Sequence, residues 1–183
     1  MRTMPLRERL HQGESGWCVR ANGLCASGGM RTFFAAISRL GDGPFWYALM
    51  VLLVLVEGYD GLAASLHLAG TGAIALLVYK LLKRWTRRPR PFASDVRIRA
   101  WVAPLDEFSF PSGHTLHAVA FSLVALAHYP VLAWVLVPFT ASVAASRVVL
   151  GLHYPSDVLA ASAIGIALAM VSMRLASGLS MLA

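Results

Sequence analysis

Long apolar stretches alternate with short polar and basic ones along most of the chain. Residues 44–56 form the first stretch, extendable to 58, and residues 62–82 the second. A third, 116–129, runs directly out of a Pro-Ser-Gly-His segment; a fourth, 131–149, follows a break at Pro130; a fifth, 158–175, lies near the C-terminus. Several approach the ~20 residues that an α-helix needs to cross a hydrocarbon core. The pattern predicts an all-α integral membrane bundle with five clear transmembrane helices.

Residues 17–40 read differently. Phe33, Phe34, Ile37 and Leu40 recur at helical spacing, but Arg20, Arg31 and Arg39 interrupt any continuous apolar run. The pattern fits an amphipathic helix lying in the membrane interface, with a sixth span as the alternative. Residues 1–16 are polar and basic and lack the apolar core of a cleaved signal peptide. Trp46, Tyr47, Trp85 and Trp101 flank the expected spans, where the rings of an interfacial belt would lie.

Composition agrees with the pattern. A hydrophobic content of 57% and a mean hydropathy of +0.63 exceed those of ordinary soluble domains. The 183 residues suit one domain, with a basic and amphipathic N-terminal segment over 1–43. Such a chain is expected as a multi-pass membrane protein. Cys18 and Cys25 form no second ligand pair, so they read as small apolar residues and imply neither a zinc site nor a disulfide framework.

Charge changes the picture because of where it sits. The net charge of +7 would suit nucleic acid, but Lys80, Lys83, Arg84, Arg87, Arg88, Arg90, Arg97 and Arg99 crowd one interhelical segment. That is a local anion site beside a bilayer, and no nucleic acid partner is expected. Some of these residues, such as Arg84, Arg87 and Arg88, read as topology signals that hold a loop on the cytoplasmic side. Counting crossings brings residues 83–114, Arg147 and His153 to one membrane face. With five spans that face is cytoplasmic; a sixth span at 17–40 would move the N-terminus to the opposite side.

Ionisable groups near a bilayer core are costly, by ~2.5–3.5 kcal/mol on insertion scales, so they mark candidate functional positions. Asp157 follows His153 by four residues, with Pro155 suited to the first turn of a helix. A carboxylate there can accept an imidazole N–H, fix the tautomer and leave the other nitrogen free to attack phosphorus. His114, entering a span after Ser112-Gly113, suits a general acid for the leaving oxygen. The amides of Ser112 and Gly113 suit an anion at a helix start. Lys83, Arg90 and Arg147 would hold nonbridging phosphate oxygens, so no metal or other cofactor is needed. His117 reads as structural or substrate-lining, and His67 and His128 as packing or interfacial groups.

At these residues the chain resembles the type 2 phosphatidic acid phosphatase family. Its signature is Lys, six residues, Arg-Pro; then Pro-Ser-Gly-His; then Ser-Arg, five residues, His, three residues, Asp. Lys83 to Pro91, Pro111 to His114 and Ser146 to Asp157 match without a substitution, so the catalytic signature region covers 83–157. The resemblance implies an all-helical fold and a metal-independent lipid phosphatase working through a phosphohistidine. It implies His153 as nucleophile, Asp157 as its partner, His114 as general acid, and Lys83, Arg90, Ser112, Gly113 and Arg147 as the phosphate site.

Vanadium haloperoxidases share the signature but are soluble, so the apolar spans favour the lipid branch. Bacterial members often have six spans, and this chain departs from them at its N-terminus.

The expected partners are the bilayer and a lipid phosphate or diphosphate monoester, such as a polyprenyl diphosphate, phosphatidylglycerophosphate or phosphatidic acid. Transfer of the phosphoryl group to a second lipid, or lipid binding or transport without catalysis, are the alternatives. Residues 91–107, with Asp106-Glu107 and the aromatics Phe92 and Trp101, followed by Phe108, read either as a lid over the headgroup or as an interfacial connector.

Overall fold

The computed structural model describes residues 6–180, and the first five residues of the N-terminal segment lie outside them. Eight α-helices follow in order: α1 (Leu6–Gly23), α2 (Gly28–Gly41), α3 (Pro44–Glu57), α4 (Tyr59–Thr86), α5 (Pro91–Ser94), α6 (Gly113–His128), α7 (Ala133–Val149) and α8 (Pro155–Ser180). Short 3-10 turns at Leu24–Ala26 and Pro130–Leu132 interrupt the succession, and no strand occurs among the described residues.

Local chemistry sets the helix ends that matter for function. Ser112 caps α6, its hydroxyl accepting from the Thr115 amide at 3.4 Å. Pro155 opens α8 and places Asp157 in its first turn, where a negative charge suits the helix dipole. Arg87 ends α4 in the left-handed region with φ of 46°. Gly43, at φ +145°, and Pro44 together turn the chain from α2 into α3 at 54°.

Helix α6 is the hub and packs against α4, α7 and α8. Leu116, Ala118, Ala120, Val124 and Ala125 on it are fully buried. Gly165 lets α8 approach closely, since a Cβ there would lie 2.8 Å from the Leu116 carbonyl oxygen. Trp46 and Leu49 of α3, Leu68 of α4 and Leu136, Phe139 and Val143 of α7 complete the main apolar core. Outward-facing Leu55, Leu77, Trp134, Leu159 and Val171 leave an apolar outer surface suited to lipid tails.

Three helical segments are long and apolar enough to cross a membrane: Tyr59–Ser94, Pro130–Val149 and Pro155–Gly178. The bent pair Gly28–Gly41 and Pro44–Glu57 makes a fourth if taken as one span. The expectation of five clear spans therefore exceeds what the helices show. The 16 residues of α6 extend only about 24 Å, against a hydrocarbon core of ~30 Å. Its cap at Ser112 and the break at Pro130 bound the helix, although Val131 and Leu132 continue the apolar pattern beyond the break.

Residues 17–40 also differ from the expected single amphipathic helix or sixth span. The turn at Leu24–Ala26 divides them, and α2 buries Phe34 and Ser38 while joining the bent pair. Trp46 leaves the expected interfacial belt for the core, whereas Tyr47 and Trp85 are exposed. Cys18 and Cys25 are free and fully buried, and burial, the leading cause, pushes the Cys18 thiol up to about 12.

Candidate active site

The ends of α4, α6 and α7, the α2–α3 bend and the loop before α8 meet around one cavity of about 580 Å³. Lys83, Arg90, Gly113, His114, Arg147 and His153 all line it. The lining also includes Trp46, Tyr47 and Met50 of α3 and Ala69, Gly72 and Ala73 of α4, so an apolar flank joins a charged end. Gly72 makes room for Phe121, whose ring would lie 2.6 Å from a Cβ at that position.

The cations are unusually buried: Lys83, Arg90 and Arg147 expose 6%, 2% and 2% of their surface. Fixing such groups away from water requires acceptors. Arg90 donates through Nη1 to the Leu152 carbonyl at 2.9 Å and through Nε to the Asp106 carbonyl at 3.0 Å. The Asp106 carboxylate bridges Lys83 at 2.5 Å and Arg90 at 2.7 Å. Burial raises the Asp106 carboxyl, but Lys83 and Arg90 outweigh it and hold the group below its usual range. Arg147 donates to the Ser38 hydroxyl of α2.

His153 is buried in the loop between α7 and α8. Its Nε2 lies 3.3 Å from Arg90 Nη1. A guanidinium has no acceptor, so Nε2 accepts and the proton belongs on Nδ1. Burial first, then Arg147, Arg90 and Lys83, holds this imidazole well below the ordinary histidine range, hence neutral. Its Nδ1 is 3.7 Å from Asp157 Oδ2, longer than a hydrogen bond. That same oxygen accepts the Tyr154 amide at 2.9 Å, and Asp157 Oδ1 accepts from Arg88 at 2.7 Å.

His114 Nε2 pairs with Asp42 at the α2–α3 bend. Ser112 is fully buried, its amide donating to the Asp157 carbonyl at 3.4 Å and its hydroxyl sharing a 2.9 Å hydrogen bond with Thr115. It therefore secures the start of α6 against α8 and does not line the cavity, as Gly113 does. His117 lines the cavity, with Nδ1 2.9 Å from the Gly113 carbonyl. His67 and His128 pair with each other at 3.1 Å, apart from this site.

Ser38, Asp42, Arg88 and Asp106 also meet the site's residues, and the fixed positions of the signature motifs include none of them. Residue type and spacing point to a lid or connector for Asp106 and to a topology signal for Arg88. The Asp42-Gly43-Pro44 triplet was the one available sign of a sharp bend carrying a polar group.

The sequence profile of the PAP2 superfamily matches residues 64–180. The undecaprenyl-diphosphatase BcrC of Bacillus subtilis is 31% identical over 129 residues, 70% of this chain and 66% of that protein. The match thus spans slightly under two thirds of that relative. The decaprenylphosphoryl-5-phosphoribose phosphatase of Mycobacterium tuberculosis is 32% identical over 166 residues, 89% of this chain and 88% of that protein. Among solved structures, a transmembrane PAP2-type phosphatidylglycerolphosphate phosphatase from Bacillus subtilis shares the fold. Its TM-score is 0.73 at 24% identity, over 93% of this chain and 87% of that one.

Proposed function

The chain belongs to the PAP2 superfamily, and from that premise we propose that it is an integral membrane lipid phosphatase using His153 as nucleophile. The observation that carries this reading is the buried His153, whose Nε2 faces Arg90 in a cavity that has an apolar flank. A lipid phosphate or diphosphate enters with its tail along α3 and α4 and its headgroup toward Lys83, Arg90 and Arg147. Names of the sequence relatives support a polyprenyl-linked phosphate or diphosphate as substrate. The bent α2–α3 pair, α4, α7 and α8 cross the bilayer, with α6 a short central crossing enclosed by its neighbours.

In the first step the Nε2 lone pair forms a bond to phosphorus while the bond to the leaving oxygen breaks. His114 supplies a proton to that oxygen. The three cations hold the nonbridging oxygens and stabilise the negative charge of the five-coordinate transition state. The Nδ1 proton points toward Asp157, which stabilises the imidazolium character of the phosphohistidine. In the second step water attacks phosphorus, His114 accepts its proton, and inorganic phosphate leaves with His153 restored.

Asp106 occupies two of the cations that this reaction requires, so substrate must displace its carboxylate. Asp106→Asn is expected to lower KM by roughly three- to tenfold, equivalent to about 0.7–1.4 kcal/mol of binding. The same change should lower thermal stability, because Lys83 and Arg90 lose a charged partner, and vanadate should restore it. Steady-state kinetics and melting curves with and without vanadate check both.

The function is tested by a phosphate-release panel in detergent micelles covering farnesyl diphosphate, phosphatidylglycerophosphate, phosphatidic acid and lipid A. His153→Ala serves as the blank. Release from at least one lipid, absent in the variant, is expected. A panel negative without acceptor but positive on adding a second lipid would replace hydrolysis by phosphotransfer.

A further inference from the structure

The reaction just described uses Asp157 but leaves its strongest partner idle. Arg88 donates through Nη1 to Asp157 Oδ1 at 2.7 Å and to the Ser156 hydroxyl at 2.7 Å. Its other terminal nitrogen, Nη2, donates to Glu14 of α1 at 2.7 Å. Glu14 in turn accepts the Ser156 amide at 3.0 Å, next to Pro155 at the start of α8. The guanidinium also lies over the Tyr154 ring, 4.1 Å from its centroid. A side chain held by two carboxylates, a hydroxyl and an aromatic face has its geometry set. A residue that only marked membrane topology would need none of these contacts.

We propose that Arg88 is a positioning residue for the catalytic carboxylate, and that Glu14 on the N-terminal helix sets how strongly Arg88 draws that carboxylate away from His153. This inference rests on the lipid phosphatase reading above and extends it. The Asp157 carboxylate is shared: Arg88 and the Tyr154 amide hold its two oxygens, while His153 Nδ1 waits at 3.7 Å. Arg88 thereby limits the attraction of Asp157 for the imidazole proton and keeps His153 neutral for attack. As the phosphohistidine forms and Nδ1 gains positive character, the pull of His153 on Asp157 grows, and Glu14 offers Arg88 a second anion to lean on.

Glu14 lies outside residues 64–180, so α1 would be a working part of the site and more than an accessory.

The charges facing His153 and Asp157 come from every packed element. Glu14 and Cys18 face them from α1, and Lys83, Arg88 and Arg90 from α4 and the residues after it. Arg147 of α7, His114 of α6 and Tyr154 beside His153 complete the set. Arg88 and Glu14 bring their charges to the Asp157 end without lining the cavity, so replacing them alters the carboxylate without removing a phosphate contact.

The test is the pH dependence of kcat/KM for phosphate release from farnesyl diphosphate and dioctanoyl phosphatidic acid, in wild type, R88M, R88K and E14Q. Each substrate ionises identically with all four proteins, so differences between them report the enzyme. Removing the Arg88 charge leaves Asp157 free to favour protonated His153, and the acid limb should move up by about 0.5–1 pH unit. Removing the Glu14 charge leaves Arg88 acting fully on Asp157, and the limb should move the other way.

R88K should return the limb toward wild type, and R88M should lower kcat more than it raises KM. Equal losses at every pH, shifts of the same sign in R88M and E14Q, or a rise in KM alone would overturn the assignment. If R88M does not fold, the E14Q downshift decides, and an unmoved limb overturns it. A wild type silent on all panel lipids overturns the phosphatase reading and this one with it. An active wild type with a silent His153→Ala and unmoved limbs overturns this inference alone.

Discussion

His153→Ala is expected to reduce phosphate release by roughly 10⁴-fold or more, with little change in the folded protein. The imidazole is completely enclosed and contributes its Nε2 to the charged end of the cavity, so its loss removes the attacking atom. Alanine leaves a small void beside Arg90 and Arg147, which still bind phosphate. The variant should therefore bind vanadate or product while turning nothing over. Melting temperature with and without vanadate, measured beside the kinetic assay, separates these two effects. Residual activity within tenfold of wild type would remove His153 from the nucleophile's role.

His114→Asn is the second large expected effect, and its size should depend on the leaving group. Protonation by a positioned acid contributes roughly 10²–10⁴-fold. The loss should be of that order for dioctanoyl phosphatidic acid, whose alkoxide leaves poorly without a proton. It should be much smaller for p-nitrophenyl phosphate, whose phenolate departs unassisted. Asp42, which pairs with His114 Nε2, sits on the α2–α3 bend and keeps the imidazole within the cavity. Equal losses on both substrates would assign His114 to binding or structure.

Much of this site was readable from spacing. Lys83, Arg90, His114, Arg147 and His153 are separated by up to seventy residues, yet the alternation of apolar runs and loops placed them at one level of the bundle. The structure brings all five to one cavity. Apolar patterning could predict that convergence because antiparallel neighbours return their ends to the same face. It says less about whether a run is long enough to span, since the stretch at 116–129 holds only 14 residues and helix α6 only 16. The count of spans suffered accordingly, and α6 came out too short to qualify by length.

The less legible residues share a physical reason. Arg88 is one of several arginines in a short run, and nothing in residue type distinguishes a guanidinium that meets Asp157 from one that meets solvent. Ser38 and Asp42 reach Arg147 and His114 only because α2 packs on α7 and then bends, a tertiary event without periodic signature. Ser112 reads equally well as an anion ligand or a helix cap; the contacts it makes here are those of a cap and of a tie to α8. Asp106 lies in an irregular loop, where sequence carries little information about which carboxylate turns inward.

Both chemical steps turn on a covalent phosphohistidine at position 153, which can be trapped during turnover. Wild-type protein turning over a ³²P-labelled lipid from the panel is quenched in alkali, digested and mapped by mass spectrometry. A base-stable, acid-labile phosphoryl group is expected on the peptide containing His153, absent from His153→Ala and formed at least as fast as phosphate is released. Turnover with no label on that peptide, or with the label on a different residue, would contradict it.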